Sequence, residues 1–163
     1  MNLAVPTLEA GETQALAEAQ ALSGASDALS FGLTPVQWGI LGSYMQQFTV
    51  AQAQVIITVG DQDRSLYMVE SGSLSVHSED STGRIRMVMV GPGSVVGEGS
   101  FFGHLPRHAN VQAAGPGVLW RITPGRFAEL SNRQPAIALQ MVMGLAGVMA
   151  RRMRNRARRI AVT

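Results

Sequence analysis

The sequence predicts an α+β domain that is mainly β, a sandwich or roll of short strands framed by helices, and three observations predict it. From Gln47 to about Ile122 apolar residues recur with a period close to two, in short runs broken by turn residues about every ten positions. On either side of that stretch the period lengthens to about 3.6. Finally, Gln140 is the only strongly polar residue from Ala136 to Ala150, as expected of a helix covered on more than one side.

Residues 1–30 read as an N-terminal extension, partly helical or mobile. They are rich in Ala, Gln, Glu and Ser, with Leu8, Leu16 and Leu22 as the few large apolar anchors. A loosely docked helix from roughly Glu9 to Leu22, ended by Ser23-Gly24, is expected. Thr34-Pro35 is a helix start, with Thr34 as N-cap and proline in the first turn, where its missing N–H is no loss. Val36, Ile40, Leu41 and Tyr44 then mark the packed face, with Trp38 off that stripe and covering a sheet edge.

Strand signals follow. Val55, Ile57 and Val59 alternate before Gly60-Asp61; Leu66 and Met68 precede Gly72; Leu74 and Val76 precede a polar tip at Ser78 to Thr82. Gly83 closes a hairpin. Ile85, Met87 and Met89 then alternate with Arg86, Val88 and Val90, the two methionines being read as core filling in preference to the wall of a pocket. Val111, Ala113, Val118 and Trp120 supply closing strands that end near Ile122.

Thr123-Pro124 repeats the helix-start signal for a short helix through Phe127 and Leu130, and Pro135 opens a longer one. Leu139, Val142, Met143, Leu145, Ala146, Met149 and Met153 are its candidates for packing on the roll or on a second copy. The fifteen apolar residues fall short of the roughly twenty of a membrane span. Gly144 and Gly147 fit either a close helix contact or a bend. The domain reading is residues 1–30, then 31–134 as the β-roll with short flanking helices, then 135–163 as the long helix and its arginine-rich tail.

The 163 residues suit one core and contain no cysteine, which excludes disulfides, thiolate metal sites and a cysteine nucleophile. No signal peptide is recognisable, so a cytoplasmic protein is expected. The net charge is +2, but Arg151, Arg152, Arg154, Arg156, Arg158 and Arg159 lie within nine residues, and the rest of the chain carries −4. Positive charge therefore belongs to the tail, where it suits a solvated helix end better than a nucleic-acid site. His77, His104 and His108 lack metal-ligand spacing, and no nucleophile, base and orienting acid stand at a recognisable spacing, so neither a metal nor an enzyme is expected.

The chemistry concentrates in Gly97 to Ala113, GEGSFFGHLPRHANVQA. Gly97 and Gly99 flank Glu98 and leave the backbone amides open to an anion. Gly103 and Pro106 mark a turn from which Arg107 emerges, a planar and permanently charged donor suited to phosphate. A ligand with hydroxyl and phosphate groups could be gripped between the acid and the arginine. Equally, Glu98 and Arg107 could form a structural salt bridge, and the residues alone do not separate the two readings.

Val96-Gly97-Glu98, an apolar turn and Pro106-Arg107-His108-Ala109 resemble the phosphate-binding cassette of the cyclic nucleotide-binding domain family, which runs Phe-Gly-Glu to Pro-Arg-Ala-Ala with the same spacing from Glu to Arg. Gly60-Asp61, Leu66-Tyr67, Gly72-Ser73-Leu74 and Gly91-Pro92-Gly93 extend the resemblance over about Leu33 to Arg154. It implies an eight-stranded antiparallel β-roll of the jelly-roll kind, with an N-terminal helix and a long C-terminal helix. It also implies a ligand site of Gly97, Glu98, Gly99, Ser100, Arg107, His108 and Ala109. Glu98 would accept from the ribose 2′-hydroxyl, Arg107 would neutralise the cyclic phosphate, and amides near Gly97, Ser100 and His108 would complete the cradle. Val96 and Gly99 depart from the pattern by replacing an aromatic and an apolar residue, and His108 leaves the base open.

The expected function is thus a sensor or regulatory domain for cAMP or cGMP, working through the C-terminal helix, a homodimer through that helix and a downstream protein. The family's DNA-binding members carry a helix-turn-helix after the long helix, and none follows here, so nucleic acid is not an expected partner. The alternatives are a β-roll that has lost its ligand and serves as a dimerising scaffold, and nucleic-acid binding through the arginine tail.

Overall fold

A computed structural model describes residues 12–161, with backbone alone from 157 onward. The chain runs α1 (Gln14–Leu22), α2 (Pro35–Gly42), β1 (Gln46–Val50), β2 (Val55–Ile57), β3 (Leu66–Ser71), β4 (Leu74–Glu79), β5 (Ile85–Val90), β6 (Val95–Val96), α3 (Glu98–Gly103), β7 (Ala109–Ala113), β8 (Gly117–Ile122), α4 (Pro124–Arg133) and α5 (Pro135–Ala161). The eight strands form two four-stranded sheets in the orders β1-β8-β3-β6 and β2-β7-β4-β5. Every pairing is antiparallel, so the expected eight-stranded roll is borne out.

β3 and β8 separate two cores. On β3, Tyr67 and Val69 point into the roll with Leu74, Val111 and Leu119, whereas Leu66 and Met68 face the helices with Trp120, Ile122, Met141 and Leu145. Because side chains alternate across a strand, one continuous apolar run serves both cores. Trp120 is fully buried, and its indole N–H is satisfied by Glu70 Oε2 at 2.8 Å.

Both helix-start signals hold. Thr34 accepts from the Gln37 amide at 3.2 Å while its own amide donates to Gln37 Oε1, a reciprocal capping box. Thr123 caps α4 by accepting from the Arg126 amide at 3.2 Å.

Four details differ from the sequence reading. α1 is not loosely docked over its described residues: Leu16 is fully buried in the helix-side core, while the expected start near Glu9 lies outside the described residues. In α2 it is Trp38, with Leu41 and Gly42, that is buried, and Val36 is exposed. The helix is only eight residues long, so its phase is set by Trp38 packing on Phe31, with ring centroids 5.5 Å apart. Met87 and Met89 are exposed rather than core filling, because β5 is the edge of its sheet and only Val90 is covered. The cassette, read as a turn, contains the short helix α3.

α5 has two contrasting faces. Ile137, Ala138, Met141, Leu145 and Val148 are buried, and Leu139, Met143, Ala146, Ala150 and Met153 are not. Gly144 is a close-contact glycine, since a Cβ there would stand 2.6 Å from the Phe31 ring. The segment Pro135–Arg156 is long and apolar enough in composition to cross a membrane. Its buried stripe is instead spent on the protein core.

Candidate functional site

The cassette begins where β6 ends. Gly97 takes φ +89° and starts α3, leaving the first-turn amides of Glu98, Gly99 and Ser100 without intrahelical acceptors. His104 ends the helix in the left-handed region at φ 55°. The chain then returns through Pro106 to Arg107, whose amide donates to Asp61 O at 3.0 Å and whose carbonyl accepts from Gly60 at 2.8 Å. Those two bonds fix the exit of the cassette to the turn before β3. Ala109 enters β7 opposite Ser78.

Arg107 is almost fully buried, with 4% of its surface exposed. Its Nη2 donates to Ser65 O at 2.6 Å and Asp63 Oδ2 at 3.1 Å, and its Nη1 to Gly97 O at 3.1 Å. Among the described residues its Nε has no partner. The guanidinium lies directly under the start of α3: a Cβ on Gly97 would stand 2.7 Å from Nη1 and 2.8 Å from Ser65 O. Only glycine fits there. Burial alone would raise the pKa of Asp63, but the hydrogen bonds from Ser65 and the charge and hydrogen bond of Arg107 outweigh it and hold the carboxyl below its usual value. Tyr67, whose hydroxyl lies 3.4 Å from Asp63 Oδ2, is pushed up, first by burial and then by that negative charge.

Glu98 and Arg107 are not paired with each other, so the structural-salt-bridge reading falls. Glu98 is instead held by the C-terminal helix. Arg152 Nη1 donates to Glu98 Oε1 at 2.5 Å, Arg152 Nε to Asp27 Oδ2 at 2.9 Å, and Nη2 to Val95 O at 2.8 Å and Ser94 Oγ at 3.2 Å. Desolvation disfavours the Arg152 charge, yet Glu98 and Asp27 more than offset it and raise its pKa above the ordinary arginine value. Arg151 donates to Ala28 O at 2.7 Å. Two of the six tail arginines are therefore clamps and not a solvated end.

The structure gathers Gly97, Glu98, Gly99 and Ser100 in one turn and brings the far end of the cassette back to it. A Cβ on Gly99 would be 3.8 Å from the His108 ring. Ser100 and Ala109 are buried, and His108 is exposed. Two residues that sequence reasoning missed complete the arrangement. Asp63 orients Arg107, and nothing in the polar run Asp61 to Ser65 marks it. Arg152 binds Glu98, and a signal did exist: it lies seven residues after Leu145 and four after Val148, on the buried stripe of α5.

Taken together, the structure joins an antiparallel β-roll, a short helix whose first turn lies against a buried arginine, and a carboxylate tied to the terminal helix. Comparison with known proteins supplies the assignment. A profile of the cyclic nucleotide-binding domain matches residues 47–134, and the chain belongs to that family. A cyclic nucleotide-binding domain from Methylobacillus flagellatus superposes with TM-score 0.80 at 21% identity, over 93% of this chain and 84% of that one, a likeness of fold. The catabolite activator protein of Thermus thermophilus matches with TM-score 0.68 and 28% identity over 80% of this chain. The regulatory domain of Toxoplasma gondii PKA, crystallised with cAMP, matches with TM-score 0.58 and 26% identity over 73%. The chain spans 60% and 44% of the lengths of those last two proteins.

Proposed function

We propose that this chain is a cyclic nucleotide sensor, binding cAMP or cGMP in the cassette and reporting occupancy through α5. One observation carries the reading: among the described residues the Nε of the buried Arg107 has no hydrogen-bond partner, and its guanidinium lies against Gly97, where α3 begins. Phosphate is the ligand chemistry that amides and guanidinium share. The site residues are those of the cassette, Gly97 to Ser100 and Arg107 to Ala109, with His108 at the exposed rim beside the base.

Glu98 has two oxygens and only one of them accepts from Arg152, so the other is available to a ribose hydroxyl. Ligand bound there contacts a carboxylate that is already tied to α5. Its occupancy is then felt by the helix as a population shift, provided that affinity differs between the helix positions. The Leu139, Met143, Ala146, Ala150 and Met153 stripe of α5 has alternating spacings of four and three, and Ala157 and Ile160 continue it in the sequence. That is the seam of a two-helix coiled coil, and it supports a homodimer through α5. The proposed setting is cytoplasmic, with a separate protein reading the helix position.

Isothermal titration with cAMP and, separately, cGMP tests the reading. Arg107→Ala is expected to weaken binding by about 2–5 kcal/mol, the range for truncating one partner of a buried charge pair. Arg107→Lys should recover only part, because a point charge does not reproduce the planar fork. Undiminished binding by a folded Arg107→Ala protein would refute the site. Absence of heat with either nucleotide in the wild type would leave the dimerising scaffold as the function.

A further inference from the structure

Away from the cassette, a half-open cleft of about 580 Å³ runs between α1, α2 and the segment joining them. This volume falls within the range of small-molecule sites, roughly 300–1,000 Å³. Its walls are mostly apolar, from Ala17, Leu29, Phe31, Leu33 and Trp38. Gln20 lines the same cleft from α1, and it is the unusual residue there. It is only 7% exposed, and among the described residues neither its Nε2 nor its Oε1 has a hydrogen-bond partner. A buried amide left with both donor and acceptor unpaired is costly, so few native side chains are found in that state.

We propose that this cleft is a second ligand site, for an uncharged, flat, largely apolar molecule that carries an amide or lactam group. The aromatic walls suit a ring, and the Phe31 and Trp38 rings that line the cleft already pack on one another, centroids 5.5 Å apart and planes tilted by 32°. An amide presents a donor and an acceptor side by side, the complement of what Gln20 has to offer. The rotatable bonds of Gln20 let it turn toward such a ligand and satisfy both atoms at once. Glu18, exposed on the rim, disfavours an anion. The site stands independently of nucleotide binding.

A ligand here would also be felt at α5. The wall segment lies against that helix through Phe31 at Gly144, and the preceding Ala28 carbonyl and Asp27 carboxylate accept from Arg151 and Arg152. The cleft wall and the cassette thus converge on one residue of that helix, Arg152, which is bonded both to Asp27 and to Glu98. Any coupling between them must be reciprocal in binding free energy.

The test uses the full chain, ¹⁵N-labelled and free of nucleotide, titrated with 2-naphthamide and in parallel with 2-acetonaphthone, which keeps the rings and the carbonyl but cannot donate. Heteronuclear NMR follows the Gln20 side-chain NH₂ and the Trp38 indole N–H, assigned from Gln20→Leu and Trp38→Phe. The amide is expected to shift both resonances saturably and to bind about three- to tenfold more tightly than the ketone, the worth of one recovered hydrogen bond. Gln20→Leu should fold at least as stably as wild type, because it removes an unpaired buried amide, and should bind the two compounds equally. Unmoved Gln20 and Trp38 resonances would overturn the site. Equal affinity of the two compounds for the wild type would overturn the amide specificity, and neither result bears on cAMP or cGMP titrations.

Discussion

Arg152→Met is the perturbation that tests how the cassette is joined to the rest of the molecule. Methionine preserves most of the stem's volume and removes the charge and four hydrogen bonds, to Asp27, Glu98, Ser94 and Val95. The side chains of Arg152, Asp27 and Glu98 are 26%, 27% and 20% exposed, so the network is neither a surface pair nor a fully buried one. Surface pairs contribute about 0–1 kcal/mol, and breaking a buried pair costs about 3–5 kcal/mol. The partial exposure places this loss at about 2–3 kcal/mol. For a chain of this size each kcal/mol lowers Tm by about 2–4 °C, giving a fall of roughly 4–12 °C. Urea unfolding followed by tryptophan fluorescence gives the free energy directly. A double-mutant cycle with Glu98→Gln then isolates the single bond between helix and cassette, with an expected coupling of about 1–2 kcal/mol. A Tm within about 1 °C of wild type, or strict additivity of the two substitutions, would refute the clamp.

Four further outcomes are expected. Gly97→Ala should cost about 2–4 kcal/mol in urea unfolding, because it adds to the left-handed backbone penalty a Cβ 2.8 Å from the Ser65 carbonyl. Gly83→Ala at φ +79°, where the nearest atom is a Glu79 side-chain oxygen at 3.5 Å, should cost only the backbone part, about 1–2 kcal/mol. Asp63 titrates below its ordinary 3.8 in the folded protein, so its contribution is complete above that pH and is lost as pH falls through the lowered value. The Tm gap between wild type and Asp63→Asn should therefore be full at about pH 6 and shrink below about pH 4; a gap independent of pH would contradict the charge pairing with Arg107. Met143→Glu places a charge in the centre of the α5 stripe while leaving the exposed side chain solvated in a monomer. Light scattering is expected to give a dimer for the wild type and a folded monomer for the variant, and an unchanged mass would move the interface elsewhere.

Most of the fold was legible because its signals are local. Thr34-Pro35 and Thr123-Pro124 start helices by satisfying backbone groups a few residues away, and the apolar strand run of β3, bounded by turn residues, is read without knowing its partners. Where tertiary context decides, the reading failed. Met87 and Met89 have the pattern of a packed strand, but β5 is an edge. Trp38 is buried because Phe31, seven residues back along the chain, is there to receive it. At the site, the glycines of the cassette and Arg107 stood out since few residue types serve an anion against a backbone turn. The roles of Asp63 and Arg152 depend on contacts 44 and 54 residues away along the chain. A run of arginines, moreover, reads the same whether solvated or clamped until helical phase is extended from Leu145 and Val148.

That phase has a mechanical consequence. At about 100° per residue, the buried face from Ile137 to Arg152 and the exposed stripe from Leu139 to Met153 are centred about 150° apart on α5. One side of the helix is gripped by the roll and by Glu98, and the other is free for a second copy. With a second copy on the exposed stripe, as proposed above, both faces would be engaged over the same turns, and such a helix could not answer the cassette by fraying. It could only move as a rod. A displacement imposed at Arg152 by a change at Glu98 would then be carried to Met143 and Met153 at nearly full amplitude, and the dimer seam would be where a downstream protein meets the signal. Hydrogen exchange separates the alternatives. Ligand-dependent protection confined to Glu98 and its neighbours in α3, with α5 unchanged from Pro135 to Arg156, would mean that the arginine clamp holds the helix in one place whether or not the cassette is filled.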